Sequence, residues 1–304
     1  MLSADRALVD LGSRLRELGY RFVTPTPETH RRVNARPQNA EARSLRDTFG
    51  WSRPCREGLL PPDLAALLAA AGAAERLPGG ASRSSVRFSS LGDLLLAHSA
   101  YPTLDADAVF FGPDTYRFAA LLRREVRGAR RAVDVGCGSG AGGLCVADRV
   151  EALVLSDVSP RALRFAAVNA ALAGAAPEIV QSDVLAGVEG PIDLVVANPP
   201  YLVDERRRTY RDGGGPRGVA LSARIAREAL ARLAPGGRLV LYTATPVVDG
   251  RHALEAELAP ALAGAAAVAY EELDPDVFGE ELEREPYADV ERIAVVALTC
   301  RRPA

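Results

Sequence analysis

The sequence predicts an α/β fold, a doubly wound and mostly parallel sheet, with a smaller, mainly helical domain at the N-terminus. Three observations carry that prediction. From about residue 130 onward, short apolar runs alternate with helical stretches. A glycine-rich turn follows the first of those runs. Before residue 83 the pattern is helical and is broken by proline- and arginine-rich stretches.

Residues 2–19 carry apolar side chains at helical spacing (Leu2, Ala7, Leu8, Leu11, Leu15, Leu18) and stop at Gly19. Residues 25–60 are polar and rich in Arg, Pro and Asn, with a helix expected near 40–48. Pro61-Pro62-Asp63 starts a helix that should run to about Ala74. Pro78-Gly79-Gly80-Ala81-Ser82 is a breaker cluster and marks the expected boundary of an accessory or substrate domain, residues 1–82. A connecting, strand-like segment covers 83–107: Val86 to Ser89 alternates, and Leu91 to His98 fits either helix or strand.

Strands are expected at 132–135, 152–157, 178–180, 193–197 and 238–242, with helices at 141–150, 159–173, 220–233 and 251–264. Strands alternating with helices make βαβ units, and hence a parallel sheet over 108–304. The last two runs, 266–272 and 290–298, have no helix between them and read as a closing hairpin on the sheet edge.

Composition narrows the function. The chain has 304 residues, which corresponds to about two domains. All 37 basic residues are arginine, so no lysine can act as Schiff-base amine, phosphate-loop cation or general base. The formal net charge of -2 argues against a protein that coats nucleic acid. Cys55, Cys137, Cys145 and Cys300 lack metal-ligand spacing, so neither zinc nor a disulfide framework is expected. No apolar run reaches the ~18 residues needed to span a bilayer, and the N-terminus lacks a signal-peptide core, so a cytoplasmic protein is expected.

Val133-Asp134-Val135-Gly136-Cys137-Gly138-Ser139-Gly140 joins the first strand of the sheet to a helix. Glycines there let the chain turn tightly and let a ligand approach the backbone. Gly138-x-Gly140-x-x-Gly143 also fits a dinucleotide fingerprint. Asp134, the Asp157-Val158-Ser159-Pro160 segment and Asp183 tilt the reading toward S-adenosylmethionine (SAM). Asp157 would take the ribose hydroxyls. Asp183 would take the adenine amino group, and the Val184 N–H a ring nitrogen. Open α/β sheets bind ligands at this strand edge.

The next strand ends in Asn198-Pro199-Pro200-Tyr201. The Asn198 side-chain oxygen and the Pro199 carbonyl can hold the two N–H bonds of a planar nitrogen, the prolines stiffen the turn, and Tyr201 can stack on a flat acceptor. Here residues 108–304 resemble the class I SAM-dependent methyltransferases, whose motif is [DNS]-P-P-[YFW]. Pro113-Asp114-Thr115 further resembles the -P-[DE]-T-E segment of the HemK/PrmC-type glutamine methyltransferases. In those enzymes this segment shapes the methionine end of the cofactor site, which points to Pro113 and Thr115. Tyr116 departs from the family's glutamate and Gly112 from its arginine. The resemblance implies a seven-stranded, Rossmann-like sheet and an N-methyltransferase.

A protein glutamine-type amide ranks first as acceptor; a nucleic-acid base and a small metabolite are the alternatives. A SAM-binding regulatory module is the non-enzyme reading. No metal and no membrane partner is expected. Arg206, Arg207 and Arg211 sit with Arg208 and Arg217 in a glycine-containing loop that could close over substrate, and they are candidate substrate ligands. The acidic stretch from Asp274 to Glu281 could line the mouth of the site.

Overall fold

A computed structural model describes residues 2–304. The N-terminal part contains α1 (Ser3–Glu17), α2 (Pro27–Asn34), α3 (Leu45–Phe49) and α4 (Pro62–Ala70). Thr26 caps α2, accepting from the Thr29 N–H, and Ser44 caps α3 through the Asp47 N–H. The helix expected at 40–48 thus starts later, at its capping serine, and α4 ends four residues earlier than expected, where residues 74–76 enter a strand.

Two hairpins follow. β1 (Ala74–Arg76) pairs with β2 (Ser82–Ser84), and β3 (Val86–Leu91) pairs with β4 (Leu94–Ser99). Pro78–Ser82, the expected boundary, is therefore the turn of the first hairpin, and Cys55 bridges to Ser82 as well. The second hairpin settles the 91–98 ambiguity as strand, because alternate residues of β3 and β4 face one core.

The remaining chain builds the sheet. α5 (Pro113–Glu125) precedes β5 (Ala129–Val135), α6 (Ala141–Leu144), β6 (Val150–Asp157), α7 (Pro160–Ala173), β7 (Glu178–Gln181) and β8 (Ile192–Ala197). Then come α8 (Ala220–Arg232), β9 (Leu233–Val248), the short β10 (Arg251–His252), α9 (Ala253–Leu262), β11 (Ala266–Asp274) and β12 (Arg292–Arg301). The strand order is β11-β12-β9-β8-β5-β6-β7, with β10 paired to β9. β5 to β9 run parallel, and β12 lies antiparallel between β9 and β11.

One expectation is corrected. The helix at 141–150 is a single turn at 141–144 followed by a 3-10 turn at 147–149. The closing pair stands as expected: β11 and β12 pair antiparallel at the sheet edge, with β12 beside β9 and β11 outermost. Burial explains the order: Ile293 to Leu298 is a continuous apolar run, fully buried, whereas β11 is largely exposed.

The two parts share a core. Leu8, Leu11, Leu15, Phe49, Phe88 and Ala97 cluster with Ala162, Phe165, Val168 and Leu172 of α7. Within that interface Asn169 of α7 is fully buried. Its Oδ1 accepts from the Ala97 N–H at 2.7 Å. Its Nδ2 donates to the carbonyls of Ala97 and Ser139, both at 2.8 Å. One side chain thereby joins the β4 edge, α7 and the glycine turn after β5. Asn169→Ala is expected to cost about 1–3 kcal/mol for each buried group left without a partner. Denaturant unfolding measures the loss, and an unchanged midpoint would refute the bridge.

Candidate active site

The loops at the C-terminal ends of β5, β6, β7 and β8 meet in one cavity of about 560 Å³. A parallel sheet places these loops on one side because every strand enters it in the same direction.

β5 delivers Asp134, which is 1% exposed, and its Oδ2 accepts the Gly143 N–H at 2.7 Å. Burial pushes this carboxyl up to about 7. Gly136, Cys137 and Gly138 follow on the cavity wall. Gly138 has a φ of 55°, with nothing near a built Cβ, so its glycine serves the turn itself. Asp157 ends β6. One carboxylate oxygen accepts from the Gly138 N–H and the other from the Ser159 N–H, each at 2.9 Å. It lies on the cavity wall, so the group expected to hold a ribose also holds the glycine turn in shape.

Asp183 and Val184 follow β7, and both line the cavity. The Asp183 carboxylate is engaged bidentately by Arg224 of α8, at 2.9 Å for each oxygen. Its expected role as a free acceptor is therefore modified: any adenine contact shares the carboxylate with an arginine. Val184 has a φ of 53°, unusual for a β-branched residue. Its N–H makes no hydrogen bond among the described residues.

β8 runs into Asn198, Pro199, Pro200 and Tyr201, all on the cavity wall. The Asn198 side chain has no hydrogen-bond partner among the described residues, which leaves its oxygen available to an acceptor. Tyr201 is 7% exposed and its ring packs on Phe278, with centroids 5.9 Å apart. Burial, with Asp114 and Tyr242 close by, raises its hydroxyl well above the usual range. Asp114 on the first turn of α5 accepts from the Tyr242 hydroxyl at 3.2 Å. Phe278 comes from the acidic stretch expected near the mouth, and it reaches the cavity.

The arginine loop differs from its expected form. Arg206 and Arg207 are exposed and do not line the cavity. Arg211 does line it, but is paired with Glu281. Arg208 binds Asp204 through its main-chain N–H and its guanidinium, and this contact holds the Asp204 carboxyl down to about 2. Arg217 pairs with Asp289 at 2.6 Å. Thr209 N–H donates to the Ala106 carbonyl and the Tyr210 hydroxyl to that of Thr103, so the loop is strapped to residues 103–106.

Its glycines are structural. A Cβ on Gly213 would lie 1.9 Å from the Gly218 carbonyl oxygen and 2.7 Å from Pro200 O. The loop therefore packs backbone-on-backbone under the Asn-Pro-Pro-Tyr turn.

Two further expected residues lie beside the cavity rather than on it. Gly140 caps α6 in the left-handed region, and Pro113 opens α5. Thr115 is on the wall and its hydroxyl accepts the Gly112 N–H at 3.3 Å. The two departures before it have local causes. The Phe110 ring fills the space beside Gly112, 2.5 Å from where a Cβ would stand. Tyr116 points to the N-terminal part, its hydroxyl accepting the Thr24 N–H at 2.9 Å.

Residues 115–261 match the family model described as the methyltransferase small domain. This part of the chain is a methyltransferase small domain. The release factor glutamine methyltransferase of Deinococcus radiodurans is 36% identical over 195 residues, 59% of this chain and 66% of that one. That of Koribacter versatilis is 33% identical over 147 residues, 43% of this chain and 52% of its own length. The chain thus spans about half to two thirds of these relatives. The ribosomal RNA small subunit methyltransferase C of Chromohalobacter salexigens is 38% identical over 112 residues, 37% of this chain and 31% of that one. The solved structure of Methanocaldococcus jannaschii Trm5 in complex with adenosine has a TM-score of 0.52 at 15% identity, covering 76% of this chain and 60% of that one. It shares the sheet fold.

Sequence reasoning did not single out Asn169 or Arg224. Asn169 had a signal, a polar residue on the apolar stripe Phe165–Leu172 of a helix. Among the described residues no group of three His, Cys, Asp or Glu side chains is placed to hold a metal ion. No helix among them is long and apolar enough to cross a membrane.

Two outcomes are expected. Gly213→Ala should displace the Pro200–Tyr201 backbone and lower both thermal stability and any activity of the site; a variant with wild-type melting and activity would contradict the packing role. For Asp134, the folded pKa of about 7 lies above the ordinary 3.8. The folded state then holds a proton that the unfolded chain releases. Stability from this group is full below about 4 and lost as pH rises through about 7. Asp134→Asn keeps an acceptor for the Gly143 N–H but cannot ionise, so the stability difference from wild type should change across that window in unfolding curves. Parallel pH profiles would refute the assignment.

Proposed function

We propose that this chain is a SAM-dependent N-methyltransferase acting on a planar amide or exocyclic amine nitrogen, with a protein glutamine-type amide as the first-ranked acceptor. One observation carries the reading. The unpartnered Asn198 amide stands with Pro199 and Tyr201 on the wall of the cavity whose other wall is the glycine turn and Asp157.

The residues present fit a nucleoside-bearing sulfonium. Asp157 faces the cavity with lone pairs beyond those given to Gly138 and Ser159, and the Val184 N–H is free for a ring nitrogen. Gly136 and Gly138 bring main chain to the cavity surface. When bound, the cofactor supplies an electrophilic methyl group.

The chain's own residues would do the rest. An amide or aromatic amine nitrogen is a poor nucleophile because its lone pair is delocalised. The Asn198 oxygen and the Pro199 carbonyl would accept its two N–H bonds, favouring positive charge on nitrogen and turning the lone pair toward the methyl carbon. Fixed acceptors of this kind stabilise developing charge without reorganisation. Holding the two reactants in line can itself supply up to ~7–11 kcal/mol. Tyr201, braced by Phe278, would fix the plane of the acceptor. Residues 1–82 and the 83–107 hairpin would form the accessory unit on the acceptor side, since Tyr101 and Thr103 reach the same cavity.

Asn198→Ala should abolish methyl transfer while calorimetry gives near-normal affinity for SAM and S-adenosylhomocysteine. An active variant would refute the planar-nitrogen mechanism, and binding of NAD alone would refute the cofactor. A second reading, methylation of an RNA base, is favoured by the similarity to a ribosomal RNA methyltransferase. Labelled-methyl transfer into fractionated lysate, with protein, RNA and small molecules counted separately, discriminates the two.

A further inference from the structure

Arg87 of β3 is 4% exposed, yet no carboxylate pairs with it among the described residues. The ionisable side chains that act on it are Tyr20, Tyr116 and Tyr101. Its one hydrogen bond goes to Thr24 Oγ1, a long 3.4 Å, and its Nε has no partner. Burial pushes the guanidinium down only to about 10, so it stays charged at neutral pH. The Phe22 ring lies 5.5 Å from the guanidinium carbon, and this cation–π attraction is weak against the loss of hydration.

The polar neighbours are already ordered to face a cation. The Thr24 and Ser89 hydroxyls are 2.5 Å apart, Ser89 lies 2.7 Å from His98 Nε2, and His98 Nδ1 lies 3.0 Å from the Ser99 carbonyl. If each donor points onward, from Arg87 to Thr24, Ser89, His98 and the Ser99 carbonyl, every oxygen in the chain accepts from the arginine side. None of these groups brings a negative charge.

Arg87, Thr24, His30, His98 and Tyr101 line a small cavity of about 10 Å³, room for one water-sized sphere. A water could accept from the arginine Nε–H, but it would leave the buried charge uncompensated. An anion of similar size does both. We propose that this cavity is a binding site for one small monovalent anion, of chloride size, held by the Arg87 guanidinium. The His30 ring borders the same cavity. Its Nε2 is on the Trp51 carbonyl at 2.8 Å and its Nδ1 is unpartnered. Burial first, and then the nearby Arg87, push this ring down to about 3, so it stays neutral and adds no charge of its own to the site.

Its lining includes neither the glycine turn nor Asp157, but it shares Pro27, Tyr101, Thr103 and Phe110 with the wall of the large cavity. An anion bound there would stiffen the acceptor side of the methyltransferase cavity through the N-terminal unit.

The test uses the full chain, with sodium chloride exchanged for sodium gluconate at constant ionic strength. Gluconate is too large for the cavity. The thermal unfolding temperature should rise saturably with chloride, and Arg87→Met should lose the saturable part. Chlorine-35 line broadening on the wild-type protein should show one saturable site, a readout that stands even if the variant does not fold. Equal melting in chloride and gluconate, with no saturable broadening, would mean that a water alone occupies the cavity and would overturn the proposal. So would a saturable response that survives in folded Arg87→Met. Calorimetric SAM binding in both salts is a separate readout, so failure of the cofactor reading and failure of the anion site are distinguishable.

Discussion

Asn169 is the interaction on which the rest of the structure depends. It is a buried amide in the middle of α7 with all its strong hydrogen bonds made to main chain: two to Ala97 and one to Ser139. A buried amide without such partners would destabilise the helix, so its position is over-determined by three backbone groups. Through it the β4 edge of the N-terminal part is tied to the turn that would carry the cofactor. The shared apolar core around Leu172 and Phe88 supplies most of the burial. Asn169 supplies the register.

The candidate site follows from that anchor. With the glycine turn held from below by Asn169, Asp157 holds it from the side through the Gly138 N–H, and Asp134 holds the start of α6 through the Gly143 N–H. Both acids therefore shape the backbone as well as facing the cavity. On the opposite wall, the Asn-Pro-Pro-Tyr turn is fixed by prolines within the chain and by Gly213 packed against its backbone. The Asn198 amide is left uncommitted between these rigid walls. A clamp of neutral acceptors is what a nitrogen losing electron density to an electrophilic carbon requires, and it needs no lysine.

The all-arginine composition takes on a different meaning in three dimensions. In the sequence, the cluster from Arg206 to Arg217 looks like a basic patch beside the acceptor site. In the fold, Arg208, Arg211 and Arg217 are spent on Asp204, Glu281 and Asp289, which strap the loop down. Guanidinium groups suit this because they bind carboxylates bidentately and carry main-chain contacts at the same time. A buried arginine without a carboxylate partner lies elsewhere, at Arg87, in a hairpin whose short alternating pattern gave no sign of a buried charge.

The sequence by itself determined the α/β class, the strand and helix alternation after residue 130, the glycine turn and the place of the Asn-Pro-Pro-Tyr turn at a strand end. These are local: periodicity, turn chemistry and strand ends are written in neighbouring residues, and a parallel sheet collects its loops at one edge whatever its details. Only the tertiary structure decided the rest. Whether 91–98 is strand, where β12 inserts, whether Asp183 is free or held by Arg224, and whether an arginine meets solvent, a carboxylate or nothing depend on residues tens to hundreds of positions away. Burial and charge pairing are properties of those distant partners, and no local pattern carries them.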